Sequence, residues 1–243
     1  MKLLYLTFIQ YIFVFGCTTV DLEALKKTKK VAIIGLNGKV NESESLNNNL
    51  VSNLGDQEFG PKLYQVAAAE LGKGFSWQFV SLDKVKNSPG VKSASEKALS
   101  QVIYLIDRKD LKIRIPGLPS SSEAVGLASD EEKKAQLMKE LGVDALMEIS
   151  FEVNPVSQTA GFMPKIIKGA MDVVKFKCST SFKIYNKEKK DPIWNKAGFS
   201  SESSDEVTVT FFGVTFPDER VSAVVSSFVN SMQRAISDAK SSK

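Results

Sequence analysis

The chain has 243 residues, of which 43% are hydrophobic and 25% charged, and its 32 basic and 28 acidic side chains leave a formal charge of +4. This is the composition of an ordinary globular protein, and the basic residues are interspersed with acidic ones, which argues against a nucleic-acid-binding protein. The sequence contains no histidine, which excludes Ser-His-Asp and Cys-His catalytic arrangements and removes the commonest ligand of catalytic zinc.

The N-terminus has the pattern of an export signal. Lys2 precedes an apolar run, Leu3 to Phe15, which is interrupted only by Thr7 and Gln10. The run is too short to cross a bilayer, since a membrane-spanning helix needs about 20 apolar residues. We therefore predict a cleaved signal peptide over residues 1–16.

The residues before Cys17 resemble the lipobox of bacterial lipoproteins. Val14 is the aliphatic residue at position −3 and Gly16 the small residue at −1, whereas Phe15 replaces the usual small residue at −2. The resemblance implies that Cys17 carries diacylglycerol and an amide-linked acyl chain such as palmitate, which anchor the protein in a membrane. The alternative is an ordinary signal peptide followed by an incidental cysteine.

Thr18 is not the aspartate that commonly signals inner-membrane retention. The resemblance therefore implies a lipid anchor in the outer membrane of the cell envelope, with the protein facing either the periplasm or the cell surface. Once Cys17 is acylated, Cys178 is the only cysteine left, so no intramolecular disulfide can form.

Residues 17–28 are predicted to form a tether, and residues 29–243 a single domain. The domain opens with Val31 to Leu36, a continuous apolar run typical of a strand buried on both faces. Asp56 to Leu71 has the apolar spacing of a helix, which we expect the next glycines to end. The aromatic residues from Phe75 to Phe79 alternate with polar ones and predict a second strand.

The middle of the chain is predicted to be helical. Ser95 to Leu105 is expected to form a helix, and the connection from Asp107 to Leu127 is left without an assigned structure. Asp130 to Leu141 is predicted as a helix that begins with three acids. Those acids fit helix capping better than calcium binding, since calcium ligands are spaced differently.

The C-terminal third alternates apolar and polar residues over three predicted strands, near 145–153, 174–184 and 192–201. Glu206 to Thr215 is a further short strand candidate. A helix then follows with an apolar stripe, formed by Val221, Val224, Val225, Phe228, Val229 and Met232. The predicted fold class is α+β, with one mixed sheet, an antiparallel C-terminal meander and packed helices in the order β-α-β-α-α-β-β-β-α.

Three short motifs occur in this order: Val31 to Ile34, Leu141 to Ala145, and Ile193-Trp194. Together they resemble the domain shared by the TolB N-terminal domain, the lipoprotein activator of penicillin-binding proteins and the curli secretion lipoprotein. The resemblance implies docking or ring assembly without a catalytic site. A curli-type pore is not expected, because membrane strands need about 9 to 11 alternating residues and residues 155–171 lack that alternation.

Other chemistry-bearing residues have structural explanations. Cys178 lies among apolar residues of a predicted strand and is interpreted as a core thiol. Glu148 and Glu152 share one strand face about 13 Å apart, which exceeds the carboxylate separations of glycosidases. We expect them to pair across the strands with Lys175, Lys177 or Lys183 on a solvated face. The turn from Gly35 to Gly38 lacks the spacing and the lysine of a phosphate loop.

The connection from Asn154 to Gly169 is longer than a hairpin needs. It carries a possible partner-contact patch, formed by Phe162, Met163, Lys165, Ile166, Ile167 and Lys168. Two interpretations stay open. The apolar residues fold back over the sheet edge, or they form an exposed patch for a protein or an anionic membrane.

The sequence thus predicts a membrane-anchored envelope lipoprotein that acts as a non-catalytic protein-binding or self-assembling module. Its expected partners are the membrane, through the N-terminal lipid, and another envelope protein or itself. We expect no metal, no nucleic acid and no cofactor besides the covalent lipid on Cys17. The alternative function is a surface-exposed lipoprotein that contacts host or environmental molecules.

Overall fold

The computed structural model describes residues 19–41, 58–95, 103–106, 110–157, 174–202, 214 and 219–242. The helices in these ranges are α1 Leu22–Lys27, α2 Phe59–Phe75, α3 Leu82–Lys86, α4 Pro89–Ser95, α5 Ser121–Ser129, α6 Glu131–Leu141 and α7 Glu219–Ser241. The strands are β1 Thr19–Val20, β2 Lys30–Val40, β3 Gln78–Phe79, β4 Ile103–Ile106, β5 Asp110–Arg114, β6 Ala145–Ser157, β7 Val174–Asn186 and β8 Trp194–Glu202. None of the described helices is both long and apolar enough to cross a membrane.

The strands form one mixed sheet in the order β1-β8-β7-β6-β2-β5-β4, with β3 paired to β2. β2 runs parallel to β6 and β3, and the other pairs are antiparallel. The α+β class, the mixed sheet and the antiparallel meander β6-β7-β8 are therefore confirmed. β2 is central, and Val31 to Leu36 are buried as the continuous apolar run predicts.

Helices cover both faces of the sheet. On one face, α7 packs across β7 and β8 and contacts α2. All six residues of its predicted apolar stripe are buried, which confirms the amphipathic helix. On the other face, the Ala124 side chain of α5 lies against Gly35 of β2, where an added Cβ would approach the alanine Cβ to 2.8 Å. The glycine therefore allows α5 to pack directly on the backbone of β2.

The segment predicted as a tether is folded from Thr19 onward. β1 pairs with β8, and the helix α1 begins at the Asp21 cap. Leu25 of α1 is fully buried, and its carbonyl accepts a hydrogen bond from the Trp77 indole at 3.2 Å. Ala24 and Thr28 are buried as well. Residues 19–28, which the sequence analysis assigned to a tether on their polar composition, therefore fold against the rest of the domain.

Three predicted boundaries are also wrong. β2 continues through the predicted turn at Gly35 to Gly38 and ends at Val40, because Asn37 to Val40 pair with β5 and β6. α2 continues through Gly72 and Gly74 to Phe75. A Cβ on Gly74 would come 2.8 Å from the Ile236 side chain of α7, so the glycine allows these two helices to pack closely. The predicted helix over 95–105 is a strand at its C-terminal end, since the backbone of Ile103 to Ile106 pairs with β5. The strand predicted from Phe75 to Phe79 is limited to Gln78 and Phe79. Trp77 is buried before it and stacks on Phe75, with ring centroids 4.4 Å apart.

The connection left unassigned, 107–127, contributes β5 and most of α5. α6 begins at Asp130, whose carboxylate accepts hydrogen bonds from the backbone N–H groups of Glu132 and Lys133 at 3.2 Å. Helix capping is therefore confirmed as the role of this acid. The strand candidate 206–215 lies outside the described residues except for Val214.

Candidate functional site

The described helices α5 and α6 leave part of the sheet face that they cover exposed. The exposed part, called here the open face, spans five neighbouring strands. Its side chains are partly or fully exposed and come from Lys39, Lys112, Arg114, Ser150, Glu152, Asn154, Lys175, Lys177, Ser179, Ser181 and Ala197. Their alignment follows from the strand register, which places Arg114, Asn37, Ser150, Ser181 and Ala197 in one row across the sheet.

The side chains at the centre of the open face are small and polar, so they project only a short distance from the sheet. The Ser150 and Ser181 hydroxyls hydrogen-bond each other at 2.6 Å across β6 and β7. The Asn41 amide donates to the Asn154 side-chain oxygen at 2.6 Å and also to Glu152. The basic residues of the open face outnumber its one acid, Glu152, so the surface attracts acidic groups.

A cleft of about 380 Å³ opens where the open face meets the start of α5. Asn37 and Ser150 line its floor, Arg114 lines the β5 side, and Ser120 to Ser122 line the helix side. Its lining side chains come from β2, β5, β6 and the N-terminus of α5, which are separate segments of the sequence. We call this the polar cleft.

The start of α5 is set by a capping box. The Ser120 hydroxyl accepts from the Glu123 N–H at 3.4 Å, and the Glu123 carboxylate accepts from the Ser120 N–H at 2.8 Å. This arrangement holds the first turn of the helix, with its positive dipole end, at the cleft mouth. The Ser-x-x-Glu spacing at 120–123 is the capping-box signal that marks this helix start in the sequence.

Glu148 lies beneath the first turn of α5 and is only 2% exposed. The expectation that it faces solvent is therefore wrong, because α5 covers its end of the strand. The predicted cross-strand neighbour is right, since Lys183 lies opposite Glu148 in β7. Burial raises the pKa of Glu148, and the nearby Ser121 hydroxyl, the Lys183 charge and the Ser150 hydroxyl oppose that shift.

Two polar atoms buried in the protein next to the polar cleft have no hydrogen-bond partner among the described groups. They are Nδ2 of Asn37, a donor, and Oε1 of Glu148, an acceptor. Both side chains flank Gly35: a Cβ added there would lie 3.3 Å from Glu148 Cγ and 3.6 Å from Asn37 Nδ2. An unpaired donor and an unpaired acceptor therefore lie beside the same point of β2.

The other predicted site residues fall elsewhere. Cys17 and the patch from Phe162 to Lys168 lie outside the described residues. Cys178 is fully buried and desolvation raises the pKa of its thiol, which confirms a core cysteine. Within the described ranges, no cluster of acidic or cysteine side chains could hold a metal ion.

The comparisons with known proteins identify no family. No protein-family profile and no curated protein sequence matches the chain. Among solved structures, the chain is similar to the LpoB C-terminal domain from Salmonella enterica, with 12% identity and a TM-score of 0.30 over 75% of this chain and 95% of that one. This level of similarity assigns neither a family nor a function.

Proposed function

We propose that this protein is a lipid-anchored envelope lipoprotein whose domain binds a partner protein without catalysing a reaction. The observation that carries the proposal is the open face, where polar side chains of five adjacent strands remain exposed beside a cleft. A solvated face is common in antiparallel sheets. Here, however, the face has a strong excess of basic groups and adjoins a concave site, and both features are typical of recognition surfaces.

The chemistry of the site supports binding rather than catalysis. Ser150 and Ser181 bond to each other, and neither has an imidazole that could remove its proton, because the sequence contains no histidine. Glu148 is buried, whereas Glu152 is exposed and accepts a hydrogen bond from Asn41. These carboxylates do not face each other across a shared pocket, as the acid and the second carboxylate of a glycosidase do.

The membrane part of the proposal rests on the N-terminal sequence. The signal-like residues 1–16 and the lipobox-like residues before Cys17 support export and acylation. β1 and α1 pack on the domain soon after this point. A lipid on Cys17 would therefore hold the domain close to the membrane surface.

Site-specific photocrosslinking in cells would test the proposed docking surface. A photoreactive amino acid replaces Ser181, which lies in the middle of the open face, or Gln65, which is exposed on α2 on the other side of the sheet. We expect a discrete protein adduct from position 181 in the membrane fraction and none from position 65. Equal labelling from both positions, or no adduct from position 181, would contradict docking through the open face.

The same strains distinguish the surface-exposed alternative. Protease added to intact cells should leave a periplasm-facing protein whole and should degrade a protein that faces the medium.

A further inference from the structure

Glu148 combines deep burial with an incomplete set of partners. Its side chain is almost fully buried, and its Oε1 atom has no hydrogen-bond partner among the described groups. An ionised carboxylate is unfavourable in such a place, because the charge has lost its water and is not fully compensated by hydrogen bonds. The surroundings therefore favour the protonated carboxyl group, and burial raises the pKa of Glu148.

The helix α5 is the element that buries Glu148. A Cβ added to Gly35 of β2 would lie 2.8 Å from the Ala124 Cβ of α5 and 3.3 Å from the Glu148 Cγ, so helix and glutamate meet over the same point of the sheet. The Ser121 hydroxyl, in the first turn of α5, also lies near the carboxyl group. With α5 away from the sheet, Glu148 would face solvent with the other polar side chains of β6.

Little apolar contact holds α5 on the sheet. Its two buried side chains are the alanines Ala124 and Ala128, each with a single methyl group, whereas Val125 and Leu127 are partly exposed. By contrast, α7 buries valine, phenylalanine and methionine side chains on the other face of the sheet. Because apolar stabilisation grows with the area removed from water, α5 is held less firmly than α7 and can move without unfolding the domain.

The titratable groups on the elements around Glu148 do not complete its set of partners. Lys183 lies opposite in β7, and its charge favours the ionised carboxylate without giving Oε1 a hydrogen bond. The Tyr185 phenol of β7 stays neutral, since burial raises its pKa. Glu123 of α5 belongs to the capping box, and Lys134 of α6 donates to a carbonyl of the turn between β7 and β8. Ionisation of Glu148 is therefore only partly compensated while α5 covers it.

We propose that α5 is a pH-sensitive cover over Glu148, which lies on the sheet while the carboxyl group is protonated and moves away from the sheet when it ionises. This proposal rests on the proposed function and adds a regulation of the same site, because Ser120 to Ser122 at the start of α5 form one side of the polar cleft. Movement of α5 widens the cleft and enlarges the open face that a partner can contact.

The closed position of α5 is favoured at low pH. It binds the Glu148 proton more tightly than the open position, in which the carboxyl group meets water and has its ordinary pKa. The closed position is therefore fully favoured below that ordinary pKa, and it loses stability as the pH rises towards the raised pKa of the buried group. Once the pH exceeds both values, a tenfold difference in proton affinity raises the ratio of open to closed molecules tenfold.

Hydrogen exchange of the full-length lipidated protein in detergent micelles, at pH 4 and pH 7, would test the proposal. The rates of the α5 amides are corrected for the intrinsic effect of pH on exchange and compared with those of α6, the next helix in the chain. We expect the protection of α5 to fall at least about tenfold between pH 4 and pH 7 while that of α6 is unchanged. Constant protection of α5, or an equal loss in α6, would overturn the proposal.

Glu148→Gln keeps the size of the side chain without its charge and should make the protection of α5 independent of pH. Glu152→Gln is the matched control, because Glu152 is an exposed glutamate of the same strand, and it should leave the pH dependence as it is. A pH dependence that persists in Glu148→Gln assigns the effect to another group and overturns the proposal. If Glu148→Gln does not fold, the comparison of the unchanged protein at the two pH values still decides.

The exchange of α5 is measured without a partner, so its outcome is independent of the crosslinking at position 181. A discrete adduct there, combined with pH-independent protection of α5, would overturn the pH-sensitive cover and leave the proposed function standing.

Discussion

The ring of Phe151 lies over the backbone of Gly38 on the neighbouring strand, so close that a Cβ on Gly38 would come 2.1 Å from the Phe151 Cζ atom. The two residues are paired in the β2–β6 register. The ring reaches from there to Phe228 of α7, with centroids 4.8 Å apart. Gly38 thus lets one aromatic side chain connect the central strand to the C-terminal helix.

Gly38→Ala should therefore destabilise the protein by about 1 to 3 kcal/mol, the usual cost of forcing extra atoms into a packed core. Chemical denaturation measures the change. Gly126→Ala is the control, because a Cβ on this α5 residue meets no atom within 4 Å; it should be neutral or stabilise the helix by up to about 1 kcal/mol. Equal losses in both variants would show that contact with Phe151 is not the cause.

Phe228→Ala should cost about 3 to 5 kcal/mol, since the side chain is fully buried and its removal leaves a cavity. Ser237→Ala on the exposed side of the same helix should change stability by less than about 0.5 kcal/mol. Denaturant titrations of the two variants make the comparison. A loss below about 1 kcal/mol for Phe228→Ala would mean that α7 is peripheral to the fold.

Glu148→Gln should raise the melting temperature at pH 7 and leave it nearly unchanged near pH 4. Because burial raises the pKa of Glu148, the folded state holds this proton more tightly than the unfolded state. Stability therefore falls as the pH rises from the unfolded pKa to the raised folded pKa, and glutamine removes that loss. Thermal melts at the two pH values provide the test. A lower melting temperature at pH 7 would show that the charge is stabilising there, with Lys183 as the partner.

Cys17→Ala should leave an unprocessed precursor or a protein released from the membrane, because the lipid on Cys17 is the anchor that the lipobox-like residues predict. Detergent phase partitioning shows whether the variant is still attached to the membrane. A variant that still enters the detergent phase after processing would reveal another membrane attachment.

The patch from Phe162 to Lys168 stays a prediction. If it is an exposed contact surface, changing both Phe162 and Ile167 to Ser should leave the melting temperature unchanged and abolish binding to the captured partner or to anionic liposomes. If these residues instead cover the sheet edge, the melting temperature should fall while binding is unchanged. Measuring both quantities on one variant decides between the two interpretations.

The elements that could be predicted are those whose signal is local. The alternation in β6 and β7, the apolar stripe of α7 and the acidic cap of α6 each depend on neighbours a few residues apart, so periodicity shows them directly. The strand Ile103 to Ile106 was missed because a short apolar run fits a helix or a strand equally well. Its pairing with β5 in the folded protein makes it a strand.

The polar cleft could not be predicted in the same way. Alternation places Glu148 on a polar face, but burial of that face depends on α5, whose packing on Gly35 requires residues more than eighty positions apart to meet. Likewise, Asn37 and Arg114 become neighbours only when β2 pairs with β5. Residue types and spacing specify helices, strands and the export signal, whereas burial and the meeting of distant side chains are properties of the packed chain, because they depend on which elements lie against each other.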